Sequence, residues 1–243
     1  MIEVRNLGKS FGTFKAVDNI SFDVKAGEIF GLLGPNGAGK TTTLRMLCTI
    51  LKPDAGYVKV NQIDTVQEAD KARAQLGVVA DSNGLYDRLT ATENTRYFAR
   101  LYDLPEERIT HQLETIFPKL GIDEFADKRA GQFSRGMKQK VSIASALMHD
   151  PPILIFDEPT NGLDVMAARQ VRQFIKDCKR PDKCIIFSTH IMREVEELCD
   201  RVAIIHKGKI AAIGTFAELQ KQSGSKDFED IFVKLIEEDD RAL

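Results

Sequence analysis

Eight consecutive residues, Gly34-Pro35-Asn36-Gly37-Ala38-Gly39-Lys40-Thr41, restrict the folds open to this chain more than any other stretch. Two glycines separated by four residues and followed by Lys-Thr match the phosphate-binding loop at every fixed position. The flanks agree with that reading. Glu28-Ile29-Phe30-Gly31-Leu32-Leu33 is short, apolar and strand-like, and Leu44, Leu47 and Leu51 then recur at helical spacing.

The residue types follow from the ligand. A chain that wraps a triphosphate closely must present backbone N–H groups without side-chain bulk, which glycines at 34, 37 and 39 permit. A helix starting near Gly39 aims its positive end at the phosphates. Lys40 would reach the β- and γ-phosphates, the Thr41 hydroxyl would ligate Mg²⁺, and Thr42 is placed for a further phosphate hydrogen bond. An incidental glycine-rich turn would not need a strand before it and a helix after it. The chain is expected to bind a nucleoside triphosphate.

Composition narrows the partners. At 243 residues the chain can bury a substantial core, as one large domain or a core with a subdomain. A formal net charge of −2 predicts neither nucleic-acid nor acidic-substrate binding. No run approaches the roughly 18 consecutive apolar residues of a membrane span. Met1-Ile2-Glu3-Val4-Arg5 lacks the basic and apolar regions of a signal peptide, so a cytoplasmic location is expected. Cys48, Cys178, Cys184 and Cys199 lack C-x-x-C spacing and lie in apolar-periodic segments, which predicts buried, reduced thiols rather than a zinc site.

Periodicity gives the organisation. Ile2–Val4 and Ile20–Val24 alternate as strands, and the helix after the phosphate loop is expected to end near Lys52-Pro53-Asp54-Ala55-Gly56. Strands follow at Tyr57–Val60 and Leu76–Ala80. Thr90-Ala91-Thr92-Glu93 is a capping box, with Asn94, Tyr97, Phe98 and Leu101 on one helical face behind it. Ile109, Leu113, Ile116, Phe117 and Leu120 mark a second helix, which Pro118 is expected to end or kink. A third starts after Ser134 and carries Met137, Val141, Ala144 and Leu147. Strands at 153–156, 184–187 and 202–205 then alternate with helices marked by Val171, Phe174, Ile175 and Cys178, and by Ile191, Val195 and Leu198. That alternation predicts a largely parallel sheet with helices on both faces. The acidic run 237–240 reads as a solvated tail.

A second chemical signal is Asp157-Glu158 at the end of an apolar strand, where a Mg²⁺-binding carboxylate belongs. Asp157 would hold the ion through water. Glu158 points elsewhere and can polarise the water that attacks the γ-phosphorus. His190, ending Ser188-Thr189-His190, would occupy the same carboxyl edge, contact the γ-phosphate and orient Glu158.

Phe133-Ser134-Arg135-Gly136-Met137 and Asn161-Gly162-Leu163-Asp164 complete the set. With the phosphate loop, Asp157-Glu158 and His190, in that order, the chain resembles the ATP-binding cassette (ABC) family over nearly its whole length. The resemblance makes 133–137 the signature motif, Asn161–Asp164 the D-loop and His190 the switch histidine. It implies an α/β P-loop NTPase fold with a mostly parallel sheet, an antiparallel N-terminal β subdomain and an all-helical insert. A single domain over 1–243 would divide into a core (1–85 and 150–220), a helical subdomain (86–149) and a C-terminal tail (221–243).

The resemblance also implies ATP and Mg²⁺, and a homodimer in which one subunit's signature covers the γ-phosphate held by the other. Ser134 and the Gly136 N–H suit that role at a helix start, and Asp164 is counted with them in the nucleotide site. Phe11 is either the aromatic on which adenine stacks or a core aromatic. Four departures from the family stand out. Phe133, Arg135 and Met137 replace the usual Leu, Gly and Gln of the signature, and Asp81 occupies the place of the Q-loop glutamine. Asp81 can still ligate Mg²⁺ but cannot donate an amide hydrogen bond.

The expected function is therefore the ATPase subunit of an ABC exporter, peripheral on the cytoplasmic face of the membrane. Its multi-span permease would be a separate chain, docked on the helical insert and the Asp81 loop. The stretch 84–90, the Ser-Arg-Gly-Met signature and the Asp-Phe-Glu-Asp-Ile-Phe tail are similar to the ABC-2 exporter branch, closest to its sodium-extruding ATPases. Drug, lipid and polysaccharide cargoes stay open. The alternatives are a soluble ABC ATPase of DNA repair or translation, for which no second cassette or basic stripe is present, and a small-molecule kinase, which would leave the signature idle.

Overall fold

Apolar runs without alternation become strands buried on both faces, and Ile29–Leu33, Ile153–Asp157, Cys184–Thr189 and Arg201–His206 of this chain are such strands. The computed structural model describes residues 1–80, 84–225 and 227–241, with side chains as far as 237. A hairpin of β1 (Ile2–Phe11) and β2 (Phe14–Val24) leads to β3 (Ile29–Leu33), which runs through the phosphate loop into α1 (Lys40–Leu47). Next come β4 (Ala55–Val60), β5 (Ile63–Asp64), α2 (Ala69–Arg73) and β6 (Leu76–Val79). Three helices follow, α3 (Ala91–Arg100), α4 (Glu106–Leu120) and α5 (Arg135–Leu147). The chain then alternates through β7 (Ile153–Asp157), α6 (Val165–Asp177), β8 (Cys184–Thr189), α7 (Met192–Leu198) and β9 (Arg201–His206). It closes with β10 (Lys209–Gly214), α8 (Phe216–Ser223) and α9 (Phe228–Arg241).

The strands form two sheets. An antiparallel sheet has the order β2-β1-β4-β5, and a larger one the order β10-β9-β3-β8-β7-β6, parallel except at β10. Within β7 and β8, successive side chains enter opposite cores. Ile153, Ile155, Cys184 and Ile186 join α1 and the antiparallel sheet on one face. Leu154, Phe156, Ile185 and Phe187 join α4, α5 and α6 on the other. The period-two geometry of a strand divides a continuous apolar run between two layers in this way.

Three local expectations change. The helix after the phosphate loop stops at Leu47, because Thr49 takes a left-handed backbone (φ 62°) and the Ile50 and Leu51 amides turn back onto the Arg45 carbonyl. Pro118 does not end α4, which continues to Leu120. The proline sits in the last turn, where burial of Phe117 and Leu120 holds the helix, and Gly121 (φ 61°) closes it. The buried face of α3 is Ala91, Asn94, Thr95 and Ala99, while Leu101 is 63% exposed. Small residues let α3 approach α5, and Asn94 is satisfied by the Tyr86, Leu89 and Thr90 carbonyls and the Tyr86 N–H. The acidic tail belongs to α9, whose Phe228, Ile231 and Leu235 are buried in a third core with Leu219 of α8 and Leu33.

Candidate active site

In the larger sheet β8 lies between β3 and β7, so the carboxyl ends of these three strands open onto one place. That edge is where an open α/β sheet binds its ligand. β3 delivers the loop 34–39. A Cβ on Gly34 would lie 2.2 Å from the Ile205 carbonyl oxygen. Gly39 has φ 109°, and a Cβ there would lie 2.5 Å from the Ala16 oxygen. Neither position admits another residue without moving backbone. Pro35 and Ala38 close the turn, the Ala38 N–H donating to the Pro35 carbonyl at 3.2 Å.

Lys40 and Thr41 open α1 from this turn. Lys40 is 5% exposed, and its Nζ donates to the Gly34 and Pro35 carbonyls at 2.7 and 3.1 Å. It also lies 3.2 Å from Oε1 of Glu158. Asp157 ends β7 in register with Ser188 of β8, whose hydroxyl donates to Asp157 Oδ1 at 2.6 Å. The Thr41 hydroxyl lies 3.2 Å from the same oxygen. Glu158, one residue on, turns to the other side. Nδ1 of His190 stands 2.8 Å from its Oε2, the distance at which Nδ1–H donates to a carboxylate.

Glu158 adopts φ 49°, a left-handed conformation unusual for a residue with a long side chain. Its amide is held by the Ser188 carbonyl and hydroxyl at 3.2 and 3.1 Å, and its carbonyl by the Asn161 amide at 3.0 Å. The two acids thus have separate partners: Asp157 with Thr41 and Ser188, Glu158 with Lys40 and His190. Cys48 lies beside them, its thiol pushed up to about 12 by burial, with the Asp157 carboxylate adding to the effect. Cys184 is buried too, whereas Cys178 and Cys199 are only partly so.

Lys40, Thr41, Cys48, Asp157 and Glu158 line a cleft of about 640 Å³ that also takes in Asn36, Gly37, Thr42 and the tip of the β1–β2 hairpin, while His190 reaches it only through Glu158. Phe11 stands at that tip, 49% exposed, which rules out the core-aromatic reading. Phe14 pairs with it and is 60% exposed. Ser134, Gly136 and Asp164 are not among the residues lining the cleft. Ser134 caps α5 by accepting from the Met137 N–H at 3.2 Å, and Asp164 caps α6 by accepting from the Ala167 N–H at 2.9 Å. The two helix starts sit together, since a Cβ on Gly136 would lie 3.3 Å from that of Ala167. Asp81 lies outside the described residues.

Sequence reasoning passed over Ser188 and Phe14. Ser188 could have been found from its place two residues before His190, at the height where β8 must meet Asp157. Phe14 carried no signal, because its position depends on the hairpin turn.

Residues 17–161 match the family described as ABC_tran, ABC transporter. The chain is 44% identical over 220 residues to the ABC transporter ATP-binding protein NatA of Bacillus subtilis (strain 168), covering 90% of this chain and 89% of that protein. The chain belongs to the ABC transporter family. It is also 37% identical over 238 residues to the linearmycin resistance ATP-binding protein LnrL of the same organism, covering 98% of this chain and 76% of that protein. Among solved structures it is similar to the dimeric post-hydrolysis state of the ATP-binding cassette MJ0796 bound to ADP and Pi. The TM-score there is 0.80 at 26% identity, over 88% of this chain and 98% of that one. This cassette is the ATP-binding subunit of an ABC transporter, with ATP hydrolysis coupled to transport. No helix among the described residues is long and apolar enough to cross a membrane.

Proposed function

We propose that two copies of this chain close head to tail around two ATP molecules, and that this closure energises export through a separate multi-span permease. The observation that carries the reading is the separation of two binding elements within one chain. The phosphate loop lines the cleft, while Ser134 and Gly136 stand elsewhere, at a capped helix start suited to an anion. A second copy, arranged as a dimer like that reported for MJ0796, would bring the partner's helix start to the open side of the cleft. Phe11 would stack on the base.

Thr41 and Asp157 present hydroxyl and carboxylate oxygens 3.2 Å apart beside the phosphate loop. Hard oxygen donors of this kind, completed by phosphate oxygens and water, suit Mg²⁺. These two residues would hold it, and the ion would offset charge on the β- and γ-phosphates. Glu158 would accept the proton of the attacking water, with His190 fixing its carboxylate. Lys40 would shift its ammonium from the loop carbonyls to the phosphate oxygens. Such catalysis depends on positioning and charge stabilisation rather than on covalent chemistry.

Export as the direction is supported by the resistance function in the name of LnrL and by the similarity of residues 84–90 and the signature to the ABC-2 branch. Sodium is the cargo favoured by that similarity. The cassette would sit on the cytoplasmic face, beneath its permease. Mixing Lys40→Ala chains with Ser134→Ala chains tests the composite site. Heterodimers should regain one intact site and show ATP hydrolysis above either variant alone; no gain would sink the head-to-tail arrangement.

A further inference from the structure

Glu194 is 2% exposed, yet it carries a carboxylate into the core behind the active site. It stands on α7, and its two oxygens are divided between two loops. Thr160 donates its hydroxyl to Oε1, and Thr189 donates its own to Oε2 at 2.7 Å. Both threonines are buried. Thr160 follows Glu158 by two residues, and Thr189 immediately precedes His190. Arg172 of α6 adds a guanidinium 3.6 Å from Oε1.

We propose that Glu194 is a positioning residue that sets the Glu158–His190 pair by clamping the two loops that carry it. The inference rests on Glu158 acting on the attacking water. Thr189 is fixed on both sides, because its hydroxyl also accepts from the Ile191 N–H at 3.0 Å, so the backbone of His190 is bracketed. On the other loop, Glu158 holds a left-handed backbone, which needs support from its surroundings to persist. The Thr160 bond supplies that support downstream, and Ser188 supplies it upstream. A carboxylate suits the task because it accepts from both hydroxyls at once, with the buried charge faced by Arg172. Glu194 is not among the residues lining the cleft, and its carboxylate is hydrogen-bonded by Thr160 and Thr189, so its effect passes through the loops.

The test compares Glu194→Ala in the wild-type chain and in the Glu158→Gln chain, reading kcat and ATP affinity in each. In the wild-type background kcat should fall about tenfold with ATP affinity held within about twofold, the pattern of lost orientation rather than lost binding. In the Glu158→Gln background the residual rate should not fall further, since no catalytic carboxylate is left to place. Glu194→Gln keeps one acceptor and should recover part of the rate, leaving kcat between that of Glu194→Ala and the wild type. An unchanged kcat, an equal loss in both backgrounds, or a parallel loss of ATP affinity would overturn the proposal. If Glu194→Ala does not fold, Thr160→Val combined with Thr189→Val keeps the volumes, removes both donors and is read by the same criteria. Full turnover by Glu158→Gln alone would instead overturn the role of Glu158, and this inference with it.

Discussion

Lys40 and Glu158 form an ion pair across the cleft, Nζ to Oε1 3.2 Å, with side chains only 5% and 12% exposed. The cation that would grip the phosphates and the base that would act on water are thus direct neighbours. Lys40→Ala removes a charge-assisted donor from the phosphate site, worth about 1.5–3 kcal/mol. ATP affinity should fall roughly 10- to 100-fold in equilibrium titration. Unchanged affinity would remove Lys40 from the binding site.

Glu158→Gln keeps the shape of the side chain and removes its basicity. A general base contributes about 10²–10⁴ in rate, so steady-state hydrolysis should drop by that order while ATP still binds. Because closure would then outlast turnover, ATP-dependent dimers should accumulate in size-exclusion chromatography. A variant that hydrolyses at the wild-type rate would assign the base elsewhere.

Ser188 is fully buried and serves both acids, donating to Asp157 and accepting from the Glu158 amide. Ser188→Ala removes one hydrogen bond from each acid, leaving Asp157 with Thr41 and the Glu158 amide with the backbone carbonyl of residue 188, at a cost of about 0.5–1.5 kcal/mol per bond. Urea denaturation should show that loss, together with reduced hydrolysis. A neutral effect on both would mean that the serine is a spectator.

Much of this site was legible from residue order, and the reason is geometric. Asp157 ends β7, Glu158 and His190 follow the ends of β7 and β8, and strand ends of a parallel sheet converge by topology, so short motifs sufficed to find them. The phosphate loop carried its own backbone logic in Gly34 and Gly39. What escaped depended on cross-strand register and on side-chain direction. Ser188 acquires its role only because β8 meets β7 at Asp157, and Glu194 because α7 packs behind both loops. On α3 the apolar pattern misled, since Tyr97 and Leu101 face outward while Asn94, polar by type, is buried with its hydrogen bonds made internally.

Gly162 carries the guanidinium of Arg135 directly over it; a Cβ there would lie 2.4 Å from the arginine's terminal nitrogen. Gly162→Ala must move Arg135 and also place alanine at φ 69°. The backbone term costs about 1 kcal/mol, visible as a lower urea midpoint. ATP-dependent dimerisation should weaken as well, because Arg135 adjoins Ser134. Dimerisation at wild-type strength would show that the Arg135 position is immaterial.

His149 stacks on Tyr102, ring centroids 3.7 Å apart, and its Nε2–H donates to the Leu76 carbonyl. Burial holds its pKa down at about 4, against an ordinary value of 6.5. The unfolded chain therefore takes up a proton that the folded one refuses. Stability is unaffected above about pH 6.5 and declines as the pH falls toward 4. His149→Phe should flatten that decline in urea midpoints measured from pH 7 to 4. An identical decline in the variant would place the acid sensitivity in other groups.

The left-handed turn at Glu158 has an evolutionary corollary. Asparagine tolerates that backbone better than glutamate does, so Glu158→Asn should relax the turn while disabling the motor. Heat-based selection on purified protein would drift toward the dead variant, and only a screen coupled to transport would retain the living one.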